Sequence, residues 1–139
     1  VGDIALTAAK VAAVFPTKAE IFDGIAGVTI TAGQAVYIIA ASGKLGLADE
    51  DASAEASYVF GIALNGGGAG QAISVLRRGH CGGFTLSGVN YALPVSLSAT
   101  AGALLDTGAT TNIVARVMAL SDADLTKVLF VDCTLAAVS

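Results

Sequence analysis

Apolar and polar positions along this chain come in short runs, and glycine turns separate the runs. The clearest series lies between Ile30 and Leu76. Val36-Tyr37-Ile38-Ile39 is followed by a Ser42-Gly43 turn and Lys44 to Leu47, then by Tyr58 to Leu64 and Gln71 to Leu76. Val28 and Ile30 alternate with Thr29 and Thr31, and Ala32-Gly33-Gln34 supplies the turn before Val36. Short runs rich in β-branched and aromatic residues, bounded by glycine, predict strands. Ser-Gly between two of them predicts a tight hairpin. Further on, Gly82-Gly83 precedes Phe84-Thr85-Leu86, and Pro94 precedes Val95 to Leu97. Asn112 to Leu120 and Lys127 to Leu135 read as two last strong strands, joined around Ser121-Asp122-Ala123-Asp124. This spacing predicts an all-β fold, a single-domain β-sandwich or jelly-roll-like barrel of short antiparallel strands.

The first 24 residues read differently. Ile4-Ala5-Leu6 alternates weakly. Ala8 to Val14 suits a short helix, since alanine favours helix, and Pro16 ends whichever element forms there. We expect an N-terminal arm or edge strand over 1–24 and a single β domain over 25–139. Within that domain the sequence echoes itself. Gly61-Ile62-Ala63-Leu64 matches Val117-Met118-Ala119-Leu120 at an offset of 56, and Gln71 to Val75 falls on Lys127 to Val131 at the same offset. Upstream, Val36-Tyr37 corresponds to Pro94-Val95 at an offset of 58. The echo suggests two similar β units, about 28–79 and 84–135. A solenoid would need three or more copies.

Composition narrows the function. A chain of 139 residues fits one domain that buries roughly 68–70% of its unfolded surface, and it needs neither metal nor disulfide to hold a core. Charged residues make up 13%, against about 25% in ordinary soluble domains. Apolar residues make up 55%, but 28 of them are alanine, so side chains able to fill a core are fewer than that figure implies. Such a sparsely charged chain suits a subunit covered by neighbours better than a lone domain. A net charge of −4 argues against nucleic acid, and the one basic pair, Arg77-Arg78, reads as solvated strand-end charge. The run from Ile4 to Phe15 is too short for a membrane span and is broken by Lys10; it also lacks the basic start of a signal peptide. Cys81 and Cys133 read as two buried free thiols, with a disulfide left open.

Candidate chemistry is sparse. His80 is the single histidine, and its neighbour Cys81 points to the opposite face of any strand. Structural zinc needs four N/S ligands, more than one His and two separated Cys supply. Gly66 to Gly70 lacks the spacing and the following helix of a phosphate loop, and reads as a flexible hairpin loop. Four acids between Asp49 and Glu55 lack the glycine and spacing of a calcium loop and read as an exposed loop or single helical turn. Lys44 at a hairpin tip lacks the flanking methionine of a lipoyl or biotinyl carrier lysine. No catalytic residue, cofactor or metal is expected, and the chain reads as a non-enzyme.

Ala32-Gly33-Gln34-Ala35-Val36-Tyr37, then Gly43-Lys44, then Gly61 to Leu64, then Ala69-Gly70-Gln71-Ala72-Ile73-Ser74-Val75 resembles the small capsid cement (head decoration) proteins of tailed bacteriophages. Those show the same short glycine-led elements in the same order. The resemblance covers about Gly27 to Gly79, with a weaker second unit after Phe84; Arg77-Arg78 and His80 to Tyr91 depart from the pattern. It implies a structural virion protein, assembled in the host cytoplasm, that binds the outer surface of an assembled capsid and stabilises contacts within the major capsid protein lattice. It also implies a homo-oligomer, with a dimer favoured. The candidate capsid or subunit contact is the N-terminal segment, through Ile4, Leu6, Val11, Val14, Phe15, Ile21 and Phe22. The alternative is a carbohydrate-binding β-sandwich displayed on a particle surface. It is weakened because Trp is absent and Tyr37, Tyr58 and Tyr91 mostly read as buried.

Overall fold

The structure, a computed structural model, describes residues 3–86, 89–106, 113–119 and 127–133. The fold is all-β. Its strands are β1 (Ala12–Ala13), β2 (Glu20–Ile25), β3 (Ala35–Ile38), β4 (Leu45–Leu47), β5 (Val59–Ala63), β6 (Ala72–Gly82), β7 (Pro94–Leu97), β8 (Leu104–Leu105), β9 (Ile113–Ala119) and β10 (Lys127–Asp132). Three 3₁₀ turns, Ala8–Lys10, Pro16–Lys18 and Glu55–Ser57, are the helical elements among the described residues. The strands form one curled antiparallel sheet in the order β4-β3-β5-β6-β10-β9-β7-β8. The expected strand residues Asn112, Leu120, Thr134 and Leu135, and the turn around Ser121, fall outside the described residues.

The central strand is β6. On one side it pairs with β5 near its start and with β10 near its end. On the other side it pairs with β2 and then β1, so residues 12–25 run antiparallel along it. The N-terminal segment is therefore an edge strand fixed to the body. The expected helix at Ala8 to Val14 shrinks to one 3₁₀ turn. Thr7 N–H donates to the Gly83 carbonyl at 2.8 Å and Val14 N–H to the His80 carbonyl at 3.0 Å. A seven-residue helix is marginal alone, and these sheet bonds outweigh alanine's preference.

Two cores flank the sheet. Val36, Ala63 and Val75 pack with Ala26, Ile30, Leu45 and Ile73. Their neighbours Ala35, Ile62 and Leu76 pack on the opposite face with Ile4, Val11, Leu97, Leu104 and Leu129. Strands buried on both faces read as continuous apolar runs, which explains the weak alternation in this part of the sequence. The curl is closed at each end by the segment that precedes β3. Gly27 N–H donates to the Leu45 carbonyl on β4, and Ile4 N–H to the Leu104 carbonyl on β8, both at 2.8 Å.

The backbone pairing repeats. Tyr37↔Gly46 and Ile38↔Leu45 correspond to Ser96↔Leu105 and Leu97↔Leu104, an offset of 59. A register shift between Val36 and Tyr37 recurs between Val95 and Ser96. In the second hairpin, Ile62↔Leu76 and Ala63↔Val75 correspond to Arg116↔Phe130 and Val117↔Leu129, an offset of 54. The sequence echo misplaces both hairpins, by one and by two residues. A slip of two leaves strand alternation intact, so side-chain pattern alone does not detect it.

Candidate interaction surface

The seven residues proposed for contact separate into two groups. Ile4 and Val11 are each 7% exposed and belong to the larger core, and Leu6 packs against it. Val14 is half-buried. Phe15, Ile21 and Phe22 are exposed, as are Ile25 and Val28, which sequence reasoning missed. Ile4, Leu6 and Val11 are thus corrected from surface to body. An all-apolar stretch does not reveal which of its side chains face inward.

β2 carries most of this surface. Its burial pattern is exposed at every residue except Gly24. Gly24 is half-buried because a side chain there would meet Leu45 Cδ1 at 2.8 Å. Two ring clusters flank the strand. On one side the Phe22 and Phe60 rings meet edge-on with centroids 5.6 Å apart, and the Arg77 guanidinium lies 4.8 Å above Phe60. Arg77 Nη1 also donates to the Phe60 carbonyl at 3.0 Å. On the other side His80 is wedged between Phe15, at 5.0 Å, and Phe130, at 5.2 Å. Arg78 covers Phe130 at 5.8 Å, and its Nε lies 3.6 Å from Asp132 Oδ2. The two arginines therefore lie mid-strand against aromatic faces and are not free strand-end charges. Cation–π contact of this kind uses their positive charge locally.

A shallow cleft next to Phe60 is lined by Ile38, Glu55, Tyr58, Arg77 and Cys133. Tyr58 is 54% exposed, and Tyr91 is also exposed beneath Lys127 Nζ at 5.1 Å, so two of the three tyrosines are not buried as expected. Both thiols are free and buried. Burial pushes the Cys133 thiol up to about 12, although Arg77 pulls the other way, and it pushes Cys81 up to the same range. A thiol held protonated is a poor nucleophile and a poor metal ligand. Among the described residues, no group of three or more His, Cys, Asp or Glu is placed to hold a metal.

The Gly66–Gly70 loop is pinned rather than loose. Gly67 and Ile30 exchange two backbone hydrogen bonds of 2.8 Å, and Gln71 Oε1 accepts from Gly68 N–H at 2.6 Å. At the acidic loop Asp51 N–H donates to Asp49 Oδ1, and the adjacent Asp49 carboxylate raises the Asp51 pKa.

The chain matches no family model, no curated protein and no solved structure.

Proposed function

We propose that this chain is a structural virion protein that binds the outer surface of an assembled phage capsid and stabilises contacts between major capsid protein subunits. The observation that carries the reading is the group of exposed apolar side chains Phe15, Ile21, Phe22, Ile25 and Val28, spread over both faces of the N-terminal edge, on a molecule with 13% charged residues. The glycine-led motif order between Gly27 and Gly79 supports it further. The physics is linkage. A protein that binds the lattice but not free subunits stabilises the lattice by about 2.7 kcal/mol per site at 100 times Kd, and many equivalent sites multiply the effect. Catalysis plays no part in this reading. Co-sedimentation tests it. The protein is expected to pellet with intact heads and to ignore unassembled capsid protein. Indifference to both would remove the proposal.

A second reading, a carbohydrate-binding module, gains from the exposure of Tyr58 beside Glu55 and Arg77 in the cleft. Aromatic faces with nearby polar groups are the usual furniture of a small-ligand site. A reproducible hit on a glycan array that is lost in Tyr58→Ala would favour it.

A further inference from the structure

We propose that the outer edge of β2 binds a second copy of this chain, the two β2 strands pairing antiparallel about a two-fold axis at Phe22. The sheet then runs from one copy into the other. This goes beyond the capsid reading and does not depend on it, because the dimer forms from the isolated protein.

The first observation is the edge itself. β4 and β8 are closed by the bonds from Gly27 and Ile4. β2 pairs with β6 alone. Leu64 N–H donates to the Ser74 carbonyl, so Ser74 faces β5 and its neighbours Ile73 and Val75 face β2. These two lie opposite Gly24 and Phe22. Strand peptide groups alternate sides, so Ile21 and Asp23 present their N–H and C=O outward, while the Ile25 end lies against β4 through the parallel Ala26↔Leu45 bridge. β2 holds no Lys or Pro, and its two charges are the acids Glu20 and Asp23.

The second observation is that the molecule already fills the equivalent edge. Ile21↔Leu76 and Phe22↔Val75 correspond to His80↔Phe130 and Cys81↔Leu129. The second half of β6 thus plays for β10 the part that β2 plays for the first half of β6. The far side of that β6 segment carries β1, through Ala12↔Gly82, Ala13↔Cys81 and the bond from Val14 N–H to the His80 carbonyl. β1 shows how an antiparallel strand sits there: it bonds at His80 and Gly82, whose counterparts on β2 are Ile21 and Asp23.

Charge and register select the occupant. Outward residues must face outward residues. Centring the pair on Asp23 would oppose two aspartates, which is unfavourable. Centring it on Phe22 opposes Phe22 with Phe22 in a non-hydrogen-bonded pair. Ile21 then exchanges backbone bonds with Asp23 of the other copy, and Glu20 faces Gly24. No like charges meet, and the strand is complementary to itself, as a two-fold interface requires. The flanking Phe15–His80–Phe130 cluster stays open for other contacts.

Sedimentation velocity and cysteine cross-linking test this. The native protein is expected to be dimeric at about 100 μM, a concentration at which even a micromolar interface is filled. Asp23→Pro removes an outward N–H and the bond from the Ser74 hydroxyl to Asp23 Oδ1 but leaves the β2–β6 backbone ladder intact; it is expected to weaken the dimer at least tenfold with an unchanged far-UV spectrum. Phe22→Cys is expected to give a disulfide-linked dimer under mild oxidation, since Cβ atoms in such a pair lie about 5 Å apart. Asp23→Cys is not, because the register sets its partner copy further away. Should Asp23→Pro fail to fold, the cysteine pair decides. A monomeric native protein overturns the proposal, as does a dimer indifferent to a folded Asp23→Pro, or cross-linking through Asp23→Cys and not Phe22→Cys.

Discussion

At the scale of single residues, one turn is built twice with different amino acids. Gly33 (φ 94°) and Ala92 (φ 65°) both take positive φ. Gln34 N–H donates to the Thr31 carbonyl, and Leu93 N–H to that of Asn90; Gly33 N–H donates to the Ala63 carbonyl, and Ala92 N–H to that of Val117. The left-handed conformation costs an L-residue about 1–2 kcal/mol. A Cβ on Gly33 would also meet Leu6 Cδ2 at 2.8 Å and Val11 Cγ2 at 3.1 Å. Gly33→Ala is therefore expected to lose about 2–4 kcal/mol, from strain and from overpacking. Ala92→Gly relieves strain and loses about 0.4–1 kcal/mol to unfolded-chain entropy, so it is expected to be neutral or slightly stabilising. Urea unfolding midpoints of the two variants separate these outcomes. The thiols give a pH dependence. In the unfolded chain they titrate near 9, and in the folded protein near 12. The folded state then holds more protons across that window. Stability from the buried neutral thiols is complete below pH 9 and is lost as pH rises towards 12. The thermal midpoint is expected to fall over that range, and a maleimide at neutral pH to label neither thiol until denaturant is added.

At the scale of elements, the N-terminal segment decides how the fold is understood. Ile4→Ala is expected to destabilise by about 2–5 kcal/mol, because a core side chain and its packing are lost. Val11→Ala is expected to do the same to a smaller degree. Phe15→Ala, at an exposed site whose ring meets His80 edge-on, should cost less, about 0.5–1.5 kcal/mol. Equal, negligible effects of all three, read by chemical denaturation, would mean a detached arm. Much of the element map was legible. The runs at Val36, Phe60 and Val95 are rich in strand formers, and Ser42-Gly43 makes its hairpin with Gly43 at φ 74°. What stayed hidden depended on distant partners. The apolar pattern ends β6 at Leu76, yet the strand continues to Gly82, with Arg77 and Arg78 lying on aromatic rings contributed by β5 and β10. Phe84-Thr85-Leu86, the apolar run after Gly82-Gly83, forms only an isolated bridge from Phe84 to Leu6. The exposed side chains of β2 are half legible: the sequence marks Ile21 and Phe22, while Ile25 and the outer edge emerge only once β6 is known to occupy the other side.

At the scale of the whole molecule, two cores share one sheet, and both curls are closed by chain that precedes β3. Low charge belongs to the chain as a whole, whereas five of the exposed large apolar side chains, Phe15, Ile21, Phe22, Ile25 and Val28, gather on the N-terminal edge. The stapling also sets a timetable. Asp3 bridges Leu105, and Ile4 bonds to Leu104, so the earliest described residues wait for a strand about a hundred positions later. During synthesis on a ribosome, that first stretch leaves the exit tunnel long before its partner exists, and its apolar side chains must stay out of wrong contacts meanwhile. Contacts so distant along the chain place the protein among slow folders, with closure in milliseconds to seconds rather than microseconds. Closure of the fold at this end accordingly waits until Leu104 and Leu105 have been made.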